Sequence, residues 1–179
     1  MGDPIRPRNA TTMKYFKDFE FNEDGITIDP ISLGIVTETG AELYIEFDFD
    51  EAKVAKNEWV TKNVIPLLTK PKDERLSFEE ARIQIYSFIS TDPSPEFWAY
   101  YADYDWVCFC RMWGKMIDLP EHFPRHCKDL KQLYDHLGKP PLVRPLAPTE
   151  EHNALVDARW NRHFFMNMRP LAERIGLVL

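Results

Sequence analysis

The stretch Lys14-Tyr15-Phe16-Lys17-Asp18-Phe19-Glu20-Phe21 constrains this chain more than any other. Its aromatic content suits a pleated, half-buried surface, so we read it as the first strand. Side chains two apart on a strand share a face. Asp18 and Glu20 therefore point one way, and Phe19 and Phe21 the other. Two carboxylates on one face of an otherwise apolar strand are costly unless something compensates them. A divalent cation would do so, because hard cations prefer oxygen ligands. An edge strand with a solvated acidic face is the competing reading, and this stretch alone leaves both open.

The chain has 179 residues, enough for one domain with a real core. A hydrophobic share of 44% with 13% aromatics marks a globular protein and excludes a disordered one. No apolar run is long enough to span a bilayer and no signal peptide is visible, so no membrane partner is expected. Cys108, Cys110 and Cys127 are too few and too odd in number for a disulfide framework, which suits a reducing, cytoplasmic location. Cys108 and Cys110 sit two apart in an apolar helical stretch with no second pair, so they read as buried thiols and not as a zinc site. The net charge of −7 argues against the broad basic surface with which proteins grip a duplex. A nucleic-acid substrate would have to be drawn in locally, and bound metal ions are the natural attractors.

Residues 1–12 contain Pro4, Arg6, Pro7 and Arg8 and no apolar periodicity. They read as a mobile leader or an expression remnant ahead of a single domain over residues 13–179. Asn22 to Gly25 is a turn, Ile31 to Val36 a buried strand, Glu38 to Gly40 a second turn, and Ala41 to Phe47 a third strand. Three strands with short turns make an antiparallel meander. Asn57 to Leu68 is predicted helical, with Pro66 weakening its end. Ser77 and Glu80 form a capping box that opens a helix with Phe78, Ala81, Ile85, Phe88 and Ile89 on one stripe. Phe97 to Tyr101 is a short apolar strand, and a second amphipathic helix is predicted over Tyr104 to Met116. Asp129 caps a short helix that ends near Gly138. Pro140, Pro141, Pro145 and Pro148 bias the next connection to extended geometry. A last helix starts near Asn153 and carries Leu155, Ala158, Phe165 and Met166, and Pro170 is expected to kink or restart it. Strands first, then alternating helices and strands, predict an α/β fold with helices packed on a mixed sheet.

Further acids stand at predicted junctions. Asp105 follows the strand Phe97 to Tyr101 and opens a helix, with Asp103 as its rival two residues earlier. Asp157 lies near the start of the last helix. An aspartate at either place is also what a helix dipole favours. His152 precedes Asp157 by five residues. A surface or capping role is the plain reading of such a histidine, although imidazole chemistry also suits a base at neutral pH.

The ordered motifs are Asp18-Phe19-Glu20, Tyr104-Asp105 and His152-Asn153-Ala154-Leu155-Val156-Asp157-Ala158. Together they resemble the DEDD superfamily of 3′–5′ exonucleases in its histidine-containing (DEDDh) branch. The run Phe97 to Asp105 and the segment Lys128-Asp129-Leu130-Lys131-Gln132-Leu133 are similar to the compact mycobacterial- and phage-type exoribonucleases of that branch. The resemblance covers about Met13 to the C-terminus. Two positions depart from it. Phe19 stands where many relatives have a small residue or Thr, and Tyr101-Ala102 where relatives often have Asn.

The resemblance implies a ribonuclease-H-like core with two divalent cations, Mg²⁺ or Mn²⁺. Asp18, Glu20, Asp105 and Asp157 would be the ligands and His152 the general base. It further implies hydrolysis of a single-stranded RNA 3′ end to nucleoside 5′-monophosphates. A DNA 3′–5′ exonuclease and a catalytically silent nucleic-acid-binding module are the alternatives. Phe21, Trp59 and Trp98 are candidates for stacking terminal bases, with core packing as the competing role of the two tryptophans. Arg159, Arg162, His163 and Arg169 make the last helix locally basic. They could meet phosphates or a second subunit in a homodimer, and a solvated face is the plain alternative.

Overall fold

The computed structural model describes residues 12–89, 91–141, 143–145, 147 and 151–179. The leader expected over residues 1–12 therefore lies outside the described residues except for Thr12, as does Pro148 of the proline-rich connection. Five strands among the described residues form one sheet: β1 (Lys14–Glu23), β2 (Ile28–Thr37), β3 (Glu42–Glu46), β4 (Glu96–Ala99) and β5 (Lys128–Asp129). The described α-helices are α1 (Glu51–Val54), α2 (Glu58–Asn63), α3 (Phe78–Ile89), α4 (Ala102–Arg111), α5 (Leu130–His136) and α6 (Ala154–Arg174). Their order is β3-β2-β1-β4-β5. The first three strands pair antiparallel, whereas β4 joins β1 in parallel and β5 joins β4 in parallel. This is the mixed sheet of a ribonuclease-H-like fold. The acidic strand β1 is central, not an edge.

Alternation along β1 separates two cores. Tyr15 and Phe19 join Leu33, Ile35 and Phe47 beneath helix α3 (Phe78–Ile89), which presents Ala81, Ile85 and Ile89, and helix α4 (Ala102–Arg111), which presents Phe109. Phe16 faces the other way, packing on Phe165 at 5.1 Å between ring centres, with Trp98, Leu130, Phe164 and Met168 around them. Each fully buried ring of this kind stabilises by about 1.5–3 kcal/mol. A smaller group forms where Ile31 meets Val54, Val60 and Val64.

Several boundaries differ from the sequence expectation, each for a local reason. The helix expected over Asn57 to Leu68 splits into Glu58–Asn63 and a 3₁₀ turn at Ile65–Leu67. Pro66 disfavours helical geometry at Ile65 and cannot donate a hydrogen bond. The strand expected to reach Tyr101 ends at Ala99, and α4 begins at Ala102 instead of Tyr104. Tyr101 takes the left-handed conformation (φ 56°), and the Ala102 N–H donates to Asp129 Oδ2 at 2.7 Å. The same Asp129 accepts the Gln132 N–H and so caps the next helix, Leu130–His136. The other end of α4 falls at Arg111 and not near Met116, and Gly114 turns with φ 97°. The capping box holds as read: Glu80 accepts from Ser77 N–H at 2.9 Å, and Ser77 Oγ accepts the Glu80 N–H.

The last helix, α6 (Ala154–Arg174), does not restart at Pro170. Pro170 is exposed, so water can serve the carbonyl it leaves unpaired, and the buried stripe runs past it from Phe165 and Met168 to Ala172. Helix α6 is pinned across the sheet at several points. Asn161, itself buried, donates from Nδ2 to the Lys17 carbonyl at 3.0 Å. Arg159 makes two hydrogen bonds to the Glu42 carboxylate, both 2.7 Å, and Arg162 donates to the Glu38 carbonyl. Arg169 pairs with the Glu38 carboxylate. The basic residues of this helix are thus largely engaged as clamps on the meander, with His163 left exposed.

Gly34 pairs with Asp18 across the β1–β2 ladder and lies directly under the first turn of α6. A Cβ there would sit 2.2 Å from the Ala154 carbonyl oxygen. Only glycine admits this approach, and it fixes how near α6 comes to β1. Gly34→Ala is expected to destabilise the protein by about 1–3 kcal/mol, as overpacking against backbone does. Urea unfolding checks this, and wild-type stability would show that the helix can retreat freely.

Candidate active site

The sheet and its helices bring five polar side chains to one cleft. Asp18 and Glu20 come from the centre of β1, and Glu20 is only 8% exposed. Asp105, the fourth residue of α4, is 5% exposed. Asp157 sits in the first turn of α6, whose Asn153 cap accepts the Leu155 and Val156 N–H groups. His152 precedes the cap in a left-handed conformation (φ 74°), and its backbone N–H donates to Asp157 Oδ2 at 2.8 Å. All five line a cavity of about 320 Å³ together with Phe21, Tyr100, Tyr101, Tyr104, Arg144 and Trp160. Donor atoms of Glu20, His152 and Asp157 lie within 4.8 Å of one another.

Crowding of these acids in a half-dry cleft disfavours their charged forms. Burial holds the Asp18 carboxyl well above the usual carboxylate range, and the charges of Asp105, Glu20 and Asp157 push it further. Glu20 is raised to about 8 by burial and then by Asp157 and Asp105. Burial raises Asp105 to about 6 against the opposing pull of Lys17 and of a hydrogen bond from the Phe19 backbone. Asp157 is raised to about 6 by burial, opposed by the His152 backbone N–H.

Lys17 is the unexpected member of this neighbourhood. Its side chain is fully buried on the far face of β1, with Nζ 3.9 Å from Asp105 Oδ2. It lies over the rings of Phe19 and Trp106, and neither its Nζ nor Asp105 Oδ2 has a hydrogen-bond partner among the described residues. One ammonium behind four carboxylates leaves the cleft short of positive charge. The all-oxygen set of acids, with an imidazole beside it, is the chemistry that hard divalent cations select.

Other sequence candidates fall elsewhere. Asp103 is exposed and lines a separate cavity, so Asp105 is the aspartate of α4 that reaches the cleft. Trp98 is 3% exposed, packs on Phe165 and donates to Glu96, which removes it from the cleft. Arg159 is held by Glu42, outside the cleft. Phe21 does line it, stacked on Tyr104 at 5.7 Å. Trp59 is 53% exposed and meets the His152 ring edge-on at 4.7 Å, so it is not a core residue. The sequence reading missed Asn161, Arg144, Tyr100 and Trp160 at the site. Lys17 was the one with a visible signal, since it alternates with Tyr15 and Phe19 on an apolar face.

Residues 13–168 match the model of the 3′-5′ exoribonuclease Rv2179c-like domain. The chain belongs to this family. Two relatives from Mycobacterium tuberculosis are the 3′-5′ exoribonuclease Rv2179c of strain H37Rv and the 3′-5′ exoribonuclease MT2234.1 of strain CDC 1551. Each is 40% identical over 151 residues, covering 82% of this chain and 88% of its own length. A solved structure of the yeast NOT1 MIF4G domain co-crystallised with CAF1 aligns over 93% of this chain and 81% of the matched chain. Its TM-score is 0.46 at 14% identity, too low to carry an argument. The Rv2179c-like match starts one residue before β1 and takes in every acid of the cleft as well as His152.

The raised carboxyl groups set a pH dependence. In the unfolded chain these groups ionise near pH 4, whereas in the folded chain Asp105 and Asp157 keep their protons to about 6 and Glu20 to about 8. The folded state then binds more protons, so this cluster's contribution to stability falls as pH rises from about 4 to 8. Divalent cations that replace those protons should reverse the loss. Thermal melts with EDTA and with Mn²⁺ should therefore diverge as pH rises from 5.5 to 8, and a gap independent of pH would contradict this.

Proposed function

We propose that the protein is a metal-dependent 3′–5′ exoribonuclease that releases nucleoside 5′-monophosphates from single-stranded RNA ends. The observation that carries this reading is the convergence of Asp18, Glu20, Asp105, Asp157 and His152 on one cleft, in a chain of the Rv2179c-like family. A cavity of about 320 Å³ has room for one nucleotide.

Asp18, Glu20, Asp105 and Asp157 would hold two divalent ions, Mg²⁺ or Mn²⁺. Their number fits the charge of such a pair, and their raised proton affinities fit a site completed by cations. Bound there, the ions would lower the pKa of water and stabilise charge on the phosphoryl and leaving oxygens. His152 stands beside Glu20 and Asp157 and would accept the proton of the attacking water through its imidazole. The left-handed backbone at His152 and the hydrogen bond to Asp157 hold it ahead of α6, and Trp59 limits its ring. The exposed ring of Tyr101 and the Phe21–Tyr104 stack offer faces to terminal bases. Such stacking is worth about 1–3 kcal/mol per base and tolerates sequence. Without ions, the cleft would repel RNA.

A 5′-labelled RNA with Mn²⁺ should give a descending ladder that EDTA abolishes. Immediate release of labelled mononucleotide would mean the opposite polarity, and cleavage of circular RNA would mean an endonuclease. His152→Ala and Asp157→Asn should fail differently. His152→Ala should cost roughly 10²–10⁴-fold in single-turnover rate while sparing Mn²⁺ binding. Asp157→Asn should weaken both. Equal loss of metal in the two variants would remove His152 from the role of base.

A further inference from the structure

The described lining of the cleft carries five carboxylates, those of Asp18, Glu20, Asp105, Glu151 and Asp157. Ions at the floor can draw in the scissile phosphate, but an RNA strand brings a phosphate with every further nucleotide. Arg144 is the lone lysine or arginine among the described lining residues. Its guanidinium lies over the rings of Tyr100, 5.5 Å from the centre, and Trp160, 5.6 Å away. Those rings meet edge to face at 5.4 Å, and both pack on the buried Phe164. The ledge is therefore rooted in the core beneath α6.

A guanidinium held over aromatic rings keeps its five N–H donors in its own plane, where they suit a planar, two-pronged acceptor. Among the described residues, no carboxylate or carbonyl takes those donors. Arg159, Arg162 and Arg169 differ, since each is engaged by Glu38 or Glu42. Arg144 is exposed, whereas Glu20 and Asp105 on the floor are nearly buried. Its charge is thus held nearer to solvent than those two acids.

We propose that Arg144, stacked on Tyr100 and Trp160, grips a phosphodiester of the RNA strand on the 5′ side of the bond being cut. This rests on the exoribonuclease reading. The guanidinium fork is the group best matched to phosphate oxygens, and its charge offsets the acidic wall at the point where the strand leaves it.

The test compares kcat/KM across a salt series for the unaltered protein, Arg144→Ala and Arg144→Lys. Two substrates are used, a single-stranded RNA oligomer and a dinucleotide whose only phosphodiester is the scissile one. Arg144→Ala should lower kcat/KM on the oligomer roughly ten- to a hundredfold, mainly through KM. It should also flatten the dependence of log(kcat/KM) on log salt by about 0.7, the share of one phosphate on a single strand. Arg144→Lys should keep the slope and recover part of the rate. The dinucleotide should be cut equally by all three proteins. An unchanged slope in Arg144→Ala, with no recovery in Arg144→Lys, would make Arg144 a prop for the aromatic wall and overturn the proposal. Equal loss on the dinucleotide would also overturn it, by moving the contact to the scissile phosphate. If the unaltered protein cuts neither RNA, the exoribonuclease reading itself falls.

Discussion

The burial of four carboxyl groups, Asp18, Glu20, Asp105 and Asp157, in one cleft is the constraint on which the rest of the structure depends. Each loses hydration in the cleft, and the charges of the neighbouring acids add to that cost at Asp18 and Glu20. A chain free to relax would spread them apart. Here they stay together because two separate helices are locked to one strand. Lys17 supplies a buried counter-charge behind them, paired with Asp105 and opposing the rise at Asp18. Burying an ammonium there is itself costly, so its retention makes sense beside the charge it faces.

The locks are specific. Helix α6 approaches β1 over Gly34, is keyed to the Lys17 carbonyl by Asn161, and is held to the meander by Arg159, Arg162 and Arg169. These contacts place Asp157 and His152 beside Glu20. Helix α4 is started by Asp129, a residue 27 positions further on that also caps the following helix. That carboxylate accepts the Ala102 N–H just after the left-handed Tyr101, at the helix start from which Asp105 enters the cleft and Asp103 stays outside. Strained backbone at Tyr101 and His152 coincides with the cleft, where such strain tends to gather.

Much of this was legible in the chain. A period of two on β1 put Asp18 and Glu20 together, and the caps at Ser77 and Asp129 and the start read near Asn153 located helix starts to within a residue. The illegible parts depended on distant partners. Nothing local to Tyr101 indicates that Asp129 will start α4 two residues early. The exposure of Trp98 and the freedom of Arg159 turned on Phe165 and Glu42, far away in sequence. Arg144 lies in a proline-rich connection with no periodicity, so only its packing on Tyr100 and Trp160 reveals it. Lys17 is different: its alternation with Tyr15 and Phe19 was in plain sight, but a buried lysine runs against the usual expectation for that residue type.

The described lining of the cleft thus combines several carboxylates, aromatic rings and one guanidinium, on a scaffold that holds like charges together. That combination suits a single strand end and the ions that would meet it. Calorimetric titration of Mn²⁺ into metal-stripped protein tests the central claim most directly. Saturable binding of two ions per chain, with heat that varies with buffer as protons leave the carboxyl groups, is the expected result. No saturable binding, or binding that Asp18→Asn leaves unchanged, would contradict a cluster built to hold cations.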